Sequence, residues 1–218
     1  LGGKVVLLDI NADALTQVVD DLRREFPDQV QGMITDITDL NAVKETQHSI
    51  SKEWGSCAIL INNAAFNAKV EGNGLQNSTL FESFSLAQWD KELNVGLKGA
   101  MICSQVFGSI MASNKKGVIV NISSDLGVIA PDQRIYNEDE INWDCAKPVT
   151  YSVVKHGLIG LTKYLATYWA KDGVCVNALA PGGIFNEQPE EFVQRLSQLI
   201  PARRMAQVDE YKGAIQFL

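Results

Sequence analysis

A chain of 218 residues, 46% of them hydrophobic, can bury one substantial core, so a single domain over residues 1–218 is expected. Its net charge of −7 argues against nucleic acid or an anionic membrane surface as a partner. No signal peptide and no apolar run approaching the roughly 20 residues of a membrane span is evident, and four scattered cysteines with two histidines suggest neither a disulfide framework nor a metal site.

Lys4–Ile10 is a short apolar run carrying an acid, Asp9, at its end, as expected of a buried parallel strand. Asn11 is placed to cap a helix that runs to Phe26, before Pro27. Val30–Thr35 reads as a second strand, closed by Asp36, and Asn41–Trp54 as a helix. Cys57–Asn62 is a third strand, closed by Asn62-Asn63-Ala64-Ala65. A helix from Leu86 carries Trp89, Leu93 and Asn94 and continues to Met111, with a break expected near Gly99. Gly117–Ile122 is a fourth strand ending in Ser123-Ser124. A long irregular stretch leads to a helix over Thr150–Lys171, with Gly173 just past its end. Strand Val174–Leu179, the turn Pro181-Gly182-Gly183 and helix Glu190–Leu199 complete the pattern. Strands alternating with helices predict an α/β fold with a doubly wound parallel sheet, whose ligands bind at the carboxyl ends of the strands. Asp9, Asp36, Asn62, Ser124 and Pro181-Gly182-Gly183 each close a different strand there, which favours a nucleotide site.

Tyr151 and Lys155 stand one helical turn apart on one face. An ammonium beside a phenol favours the phenolate, lowering a pKa that is otherwise about 10 and making a general acid/base for alcohol oxidation or ketone reduction. The spacing alone is common on solvated helices. The ordered strand-end residues around it make it specific.

Jointly, Asn62-Asn63-Ala64-Ala65, the helix segment Asn94–Gly99, Asn121-Ile122-Ser123-Ser124, Tyr151–Lys155 and Asn177–Gly182 resemble the motifs of the short-chain dehydrogenase/reductase family, in its order and over nearly the whole chain. The resemblance implies a Rossmann-like domain. It also implies a chain cut at both ends, lacking the family's first strand with its glycine-rich loop and its last strand. As catalytic residues it implies Tyr151, Ser124 rather than Ser123, Lys155, and Asn94 anchoring a proton-relaying water. For the cofactor it implies Asp9, Asp36, Ile37, Asn62, Ala64, Tyr151, Lys155, Pro181, Gly182 and Ile184, with Asn186 beside the carboxamide. Asp9 accepts hydrogen bonds from ribose hydroxyls and repels a 2′-phosphate, and no basic residue follows in Ile10–Leu15, so NAD is expected over NADP. No metal is required. A cytoplasmic homodimer or homotetramer is expected, with Leu97, Ile102, Val106, Leu158, Leu161 and Leu165 supplying apolar surface. The members brought to mind most are those of flagellin modification and surface-sugar biosynthesis, which makes a sugar-derived substrate the expectation. Nucleotide-sugar epimerases or dehydratases of the extended branch and a non-catalytic NAD-binding protein are the alternatives.

Ser124 and Tyr151 are 27 positions apart, wider than the family's spacing, with the extra residues in Val128–Val149. This segment is expected to wall the substrate pocket, and Arg134 to meet a carboxylate or phosphate.

Overall fold

The computed structural model describes residues 2–66, 79–137 and 145–218. Strand β1 (Val5–Asp9) pairs in parallel with β2 (Val30–Ile34), setting Asp9 opposite Ile34. Strands β3 (Ile59–Asn62), β4 (Gly117–Ile122) and β5 (Val174–Leu179) form a second parallel sheet in that order. The expected parallel α/β architecture is present, with its strands in two sheets. Side chains join the two. Val43, Ile50, Ile102, Cys103 and Phe107 form one buried cluster that takes Val6 and Met33 from the first sheet and Leu60 from the second.

Local chemistry sets the helices. Helix α1 (Ala12–Glu25) starts where the Asn11 Oδ1 accepts the Ala14 N–H at 3.1 Å. It lies so close on β2 that a Cβ at Gly32 would come within 2.9 Å of Val19. Helix α2 (Leu40–Trp54) is capped by Asp39 in the same way. Helix α3 (Leu86–Leu93) passes through a π-helical turn, Asn94–Gly99, into α4 (Ala100–Ser113), and this turn is the break expected near Gly99. The continuous run Leu86–Ser113 is long and apolar enough to cross a membrane, which corrects the reading of the sequence. Half of its apolar window is buried inside the protein, where α4 packs on α2, β3 and β4 and serves as a core helix.

Helix α5 (Val149–Tyr168) packs on β5, β4 and the π turn and ends at Trp169. The indole lies against Gly108, leaving no room for a side chain there, in a cluster with Met111, Ile119, Leu165, Val174 and Val176. Gly173 takes the left-handed conformation, φ 69°, that turns the chain into β5. Helices α6 (Glu190–Leu199) and α7 (Lys212–Phe217) follow. The residues expected to supply apolar surface are not all exposed. Ile102, Leu158 and Leu165 are buried in the chain's own core, whereas Met101, Val153, Tyr164 and Tyr168 are the exposed apolar side chains of α4 and α5.

Candidate active site

Parallel pairing brings the carboxyl ends of β3, β4 and β5 to one rim. Beyond Ile122, the two serines of β4 divide their work. The Ser123 N–H donates to the Leu179 carbonyl at 2.8 Å and its hydroxyl to the Lys155 carbonyl at 2.8 Å, so Ser123 ties β4 to β5 and α5. The Ser124 hydroxyl donates to the Asp125 Oδ1 at 2.8 Å, accepts the Leu126 N–H at 3.2 Å and hydrogen-bonds with the Tyr151 phenol. Ser124, rather than Ser123, is therefore the serine brought to Tyr151.

On α5, Lys155 is 6% exposed, and its Nζ donates to the Ile122 carbonyl at 2.8 Å. The ammonium lies 5.6 Å from the centre of the Tyr151 ring. The phenol does not show the expected lowered pKa. Burial raises it, the hydrogen bond with Ser124 pulls it back, and the Asp125 carboxylate raises it further. Burial likewise lowers the Lys155 pKa. The reason for the reversal is that removal from water is the largest influence on the phenol, whereas spacing shows only which charges are near.

Asn94 is exposed on the π turn, and Gly96 faces α5, so close that a Cβ would lie 2.6 Å from Val154. The preceding helix contributes Glu92, 5% exposed, whose carboxylate accepts from the Thr150 hydroxyl and the Gln88 amide. Glu92, Gly96, Thr150, Tyr151, Val154 and Lys155 line a cleft of about 10 Å³, the lower limit for a single water. Sequence reasoning missed Glu92. Its signal was an acid on the core-facing side of an apolar helix, three residues after Trp89 and four before Gly96. Asp125, next to Ser124, was missed as well.

The expected cofactor residues divide into three groups. Asp9 and Asp36 are exposed at the ends of β1 and β2. Asp9 accepts the Asn11 N–H, and Asp36 accepts the Thr38 N–H and hydroxyl, which lower its pKa. Ala64 is exposed just beyond β3, and Pro181, Gly182 and Ile184 lie half-buried beyond β5, where the Pro181 carbonyl accepts the Asp125 N–H and the Gly182 N–H donates to the Tyr211 hydroxyl. Asn62 and Ile37 face inward. The Asn62 Nδ2 donates to the Ser104 hydroxyl and the Asn121 Oδ1, and Ile37 fills the space under Gly99. An exposed carboxylate, a small residue at a strand end and an ammonium at the catalytic turn suit the ribose and adenine groups of a dinucleotide.

The segment between Ser124 and Tyr151 does reach the site. Tyr136 is packed near enough to Tyr151 and Asp125 that both raise its pKa, after burial, and its ring meets Phe192 at 5.6 Å. Arg134 points elsewhere. It is exposed and holds Asp132 through two contacts, Nε–Oδ1 at 2.9 Å and Nη2–Oδ2 at 2.6 Å. Lys147 is the cation that faces the phenol, its Nζ 3.9 Å from the centre of the Tyr151 ring. Trp143 lies outside the described residues.

The entire chain, residues 1–218, matches the family model described as enoyl-(acyl carrier protein) reductase. A gluconate 5-dehydrogenase of Gluconobacter oxydans is 30% identical over all of this chain and 78% of its own length. The post-translational flagellin modification protein A of Campylobacter coli is 28% identical over 99% of this chain and 81% of its own. A solved gluconate 5-dehydrogenase from Burkholderia cenocepacia, in complex with NADP and tartrate, superposes with a TM-score of 0.79 at 25% identity, over 98% of this chain and 76% of that one.

Proposed function

This chain belongs to the short-chain dehydrogenase/reductase family of oxidoreductases, and from that premise we propose that it interconverts a secondary alcohol and a ketone with Tyr151 as general acid/base. The observation that supports this most is the meeting of Ser124, from the end of β4, with Tyr151 and Lys155, from the first turns of α5, in a largely buried setting. A phenol whose pKa is held up is neutral near pH 7 and donates its proton to a carbonyl oxygen. Ser124, its proton turned from Asp125, donates to the same oxygen, and the two share the electrostatic support of the developing alkoxide. In the oxidative direction Tyr151 accepts the proton, and Lys155 passes it on. Lys155 and Glu92 line the same small cleft, and Asn94 would anchor the water that relays the proton.

The cofactor is a nicotinamide dinucleotide, which when bound supplies or takes the hydride. Asp9 would hold the adenosine ribose, Asp36 and Ala64 the surrounding rim, Lys155 the nicotinamide ribose, and Pro181, Gly182 and Ile184 the nicotinamide end. Asp9 favours NAD for the reason given from its charge, and the NADP bound to a relative makes that residue the one to test. The substrate is a small polyhydroxylated molecule, in keeping with relatives that act on gluconate or modify flagellin. The protein works as a cytoplasmic homodimer or homotetramer through the face carrying Met101, Val153, Tyr164 and Tyr168. Tyr151→Phe should lower kcat by about 10²–10⁴-fold while cofactor affinity, read by fluorescence titration, changes little. Turnover within a few-fold of wild type would remove Tyr151 from this role.

A further inference from the structure

Lys147 stands just ahead of α5, and its ammonium sits against the Tyr151 ring. Among the described residues its Nζ forms no ion pair. The carboxylates whose fields reach it are held by other donors. Asp125 accepts from the Ser124 hydroxyl and the Leu126 N–H, and Glu92 accepts from Thr150 and Gln88. Burial and the neighbouring Lys155 bring its pKa down to about 8. A cation withdrawn from water without a counter-ion is costly, and an incoming anion offsets that cost. The same lysine lines a cavity of about 260 Å³ together with Thr79, Gln133, Ser152, Phe81 and Pro131. The Gln133 Oε1 accepts the Lys147 N–H at 2.8 Å, which anchors the backbone at that point. Arg134, the cation that the sequence favoured for this purpose, is turned away and engaged by Asp132.

We propose that Lys147 and this cavity bind an anionic group of the substrate, a carboxylate or a phosphate, and thereby set the hydroxyl-bearing carbon chain against Tyr151. The cavity's alternation of hydroxyl, amide and apolar walls suits a polyhydroxylated chain whose charged end is fixed by the ammonium. The inference rests on Tyr151 as the acid/base, since it is the phenol beside which the anion would be held. It specifies a substrate property that the alcohol/ketone chemistry leaves open.

The test uses three ligands with the same six-carbon skeleton: gluconate, glucitol 6-phosphate and neutral glucitol. Equilibrium binding to the full chain is measured by calorimetry for wild type, Lys147→Met and Lys147→Arg. At least one anion should bind wild type about tenfold or more tighter than glucitol, as expected of a hydrogen bond to a charged group. Which of the two does so separates carboxylate from phosphate. Lys147→Met should erase the preference and Lys147→Arg should keep most of it. A second measurement needs no variant. Trace amine labelling of wild type, followed by mass spectrometry at Lys147, should be slowed by the preferred anion and not by glucitol. No anion preference in wild type, a preference undiminished in Lys147→Met, or equal labelling with and without the anion would overturn the proposal. Binding is read without turnover, so a Tyr151→Phe variant with normal activity would defeat the proposed reaction while leaving a measured anion preference standing.

Discussion

Gly96 provides the sharpest test of how the site is positioned. A methyl added there would lie 2.6 Å from the Val154 Cγ1 and 3.3 Å from its Cγ2, where ordinary contact begins at 3.4 Å. Relief of the closer contact requires α5 to move from the π turn by roughly 0.8 Å, or Val154 to leave its rotamer. Val154 lies between Tyr151 and Lys155 on α5, so the displacement is delivered to the pair proposed as catalytic. Overpacking of this kind costs about 1–3 kcal/mol, which for a chain of this size is a fall in Tm of roughly 2–12 °C. A misplacement near 1 Å costs about 10²-fold in rate. Gly96→Ala should therefore lose both stability, by thermal melt, and kcat/KM. Val154→Ala alone opens a small void. The double variant Gly96→Ala/Val154→Ala moves one methyl across the contact and should recover much of both losses, a favourable coupling of about 0.5–3 kcal/mol. A Gly96→Ala protein with wild-type Tm and wild-type kcat/KM would refute the packing argument. A double variant worse than the sum of the two singles would refute the assignment of Val154 as the obstacle.

Because burial and Asp125 raise the Tyr151 pKa, the phenol stays protonated through neutral pH. At saturating substrate, kcat for alcohol oxidation should climb with pH to about 10, the ordinary phenol value or beyond, and a plateau below about pH 8 would contradict the burial effect. The other titratable groups around the ring are Lys147, Lys155, Asp125 and Tyr136, and the same profile in Lys147→Met removes the contribution of that ammonium. Asp9→Ala with an adjacent Arg should shift preference from NAD toward NADP, and an unmodified protein that already prefers NADP would overturn the role given to Asp9. Tyr164→Glu should weaken self-association in sedimentation runs, since Tyr164 and Tyr168 stack on the exposed face of α5. A monomeric wild type at micromolar concentration would remove that face from consideration.

The alternation of apolar strands with helices was plain in the chain, because Asn11 and Gly173 act on the backbone within a few residues of themselves. Strand-end polar residues were equally legible, since a parallel sheet puts every carboxyl end on one rim whatever the packing beneath. Ser124, Tyr151 and Lys155 were singled out together by the resemblance of their motifs to those of the family. Direction and burial could not. Asn94 and Glu92 are two residues apart and so lie on opposite sides of their helix, and only the packing of α5 left the one exposed and the other 5% exposed. The sign of the Tyr151 shift also belonged to the tertiary structure, because desolvation depends on everything packed around the ring, whereas spacing reveals only that Lys155 is near. Between the two cations of one irregular segment, Arg134 and Lys147, the sequence favoured Arg134 for its planar guanidinium. Asp132, two residues before Arg134, holds it at the surface, while the entry of the chain into α5 lays Lys147 against the phenol. Residue order thus determined the elements and which residues stand at the strand ends. Which side chains lost their water was settled only when distant segments packed together.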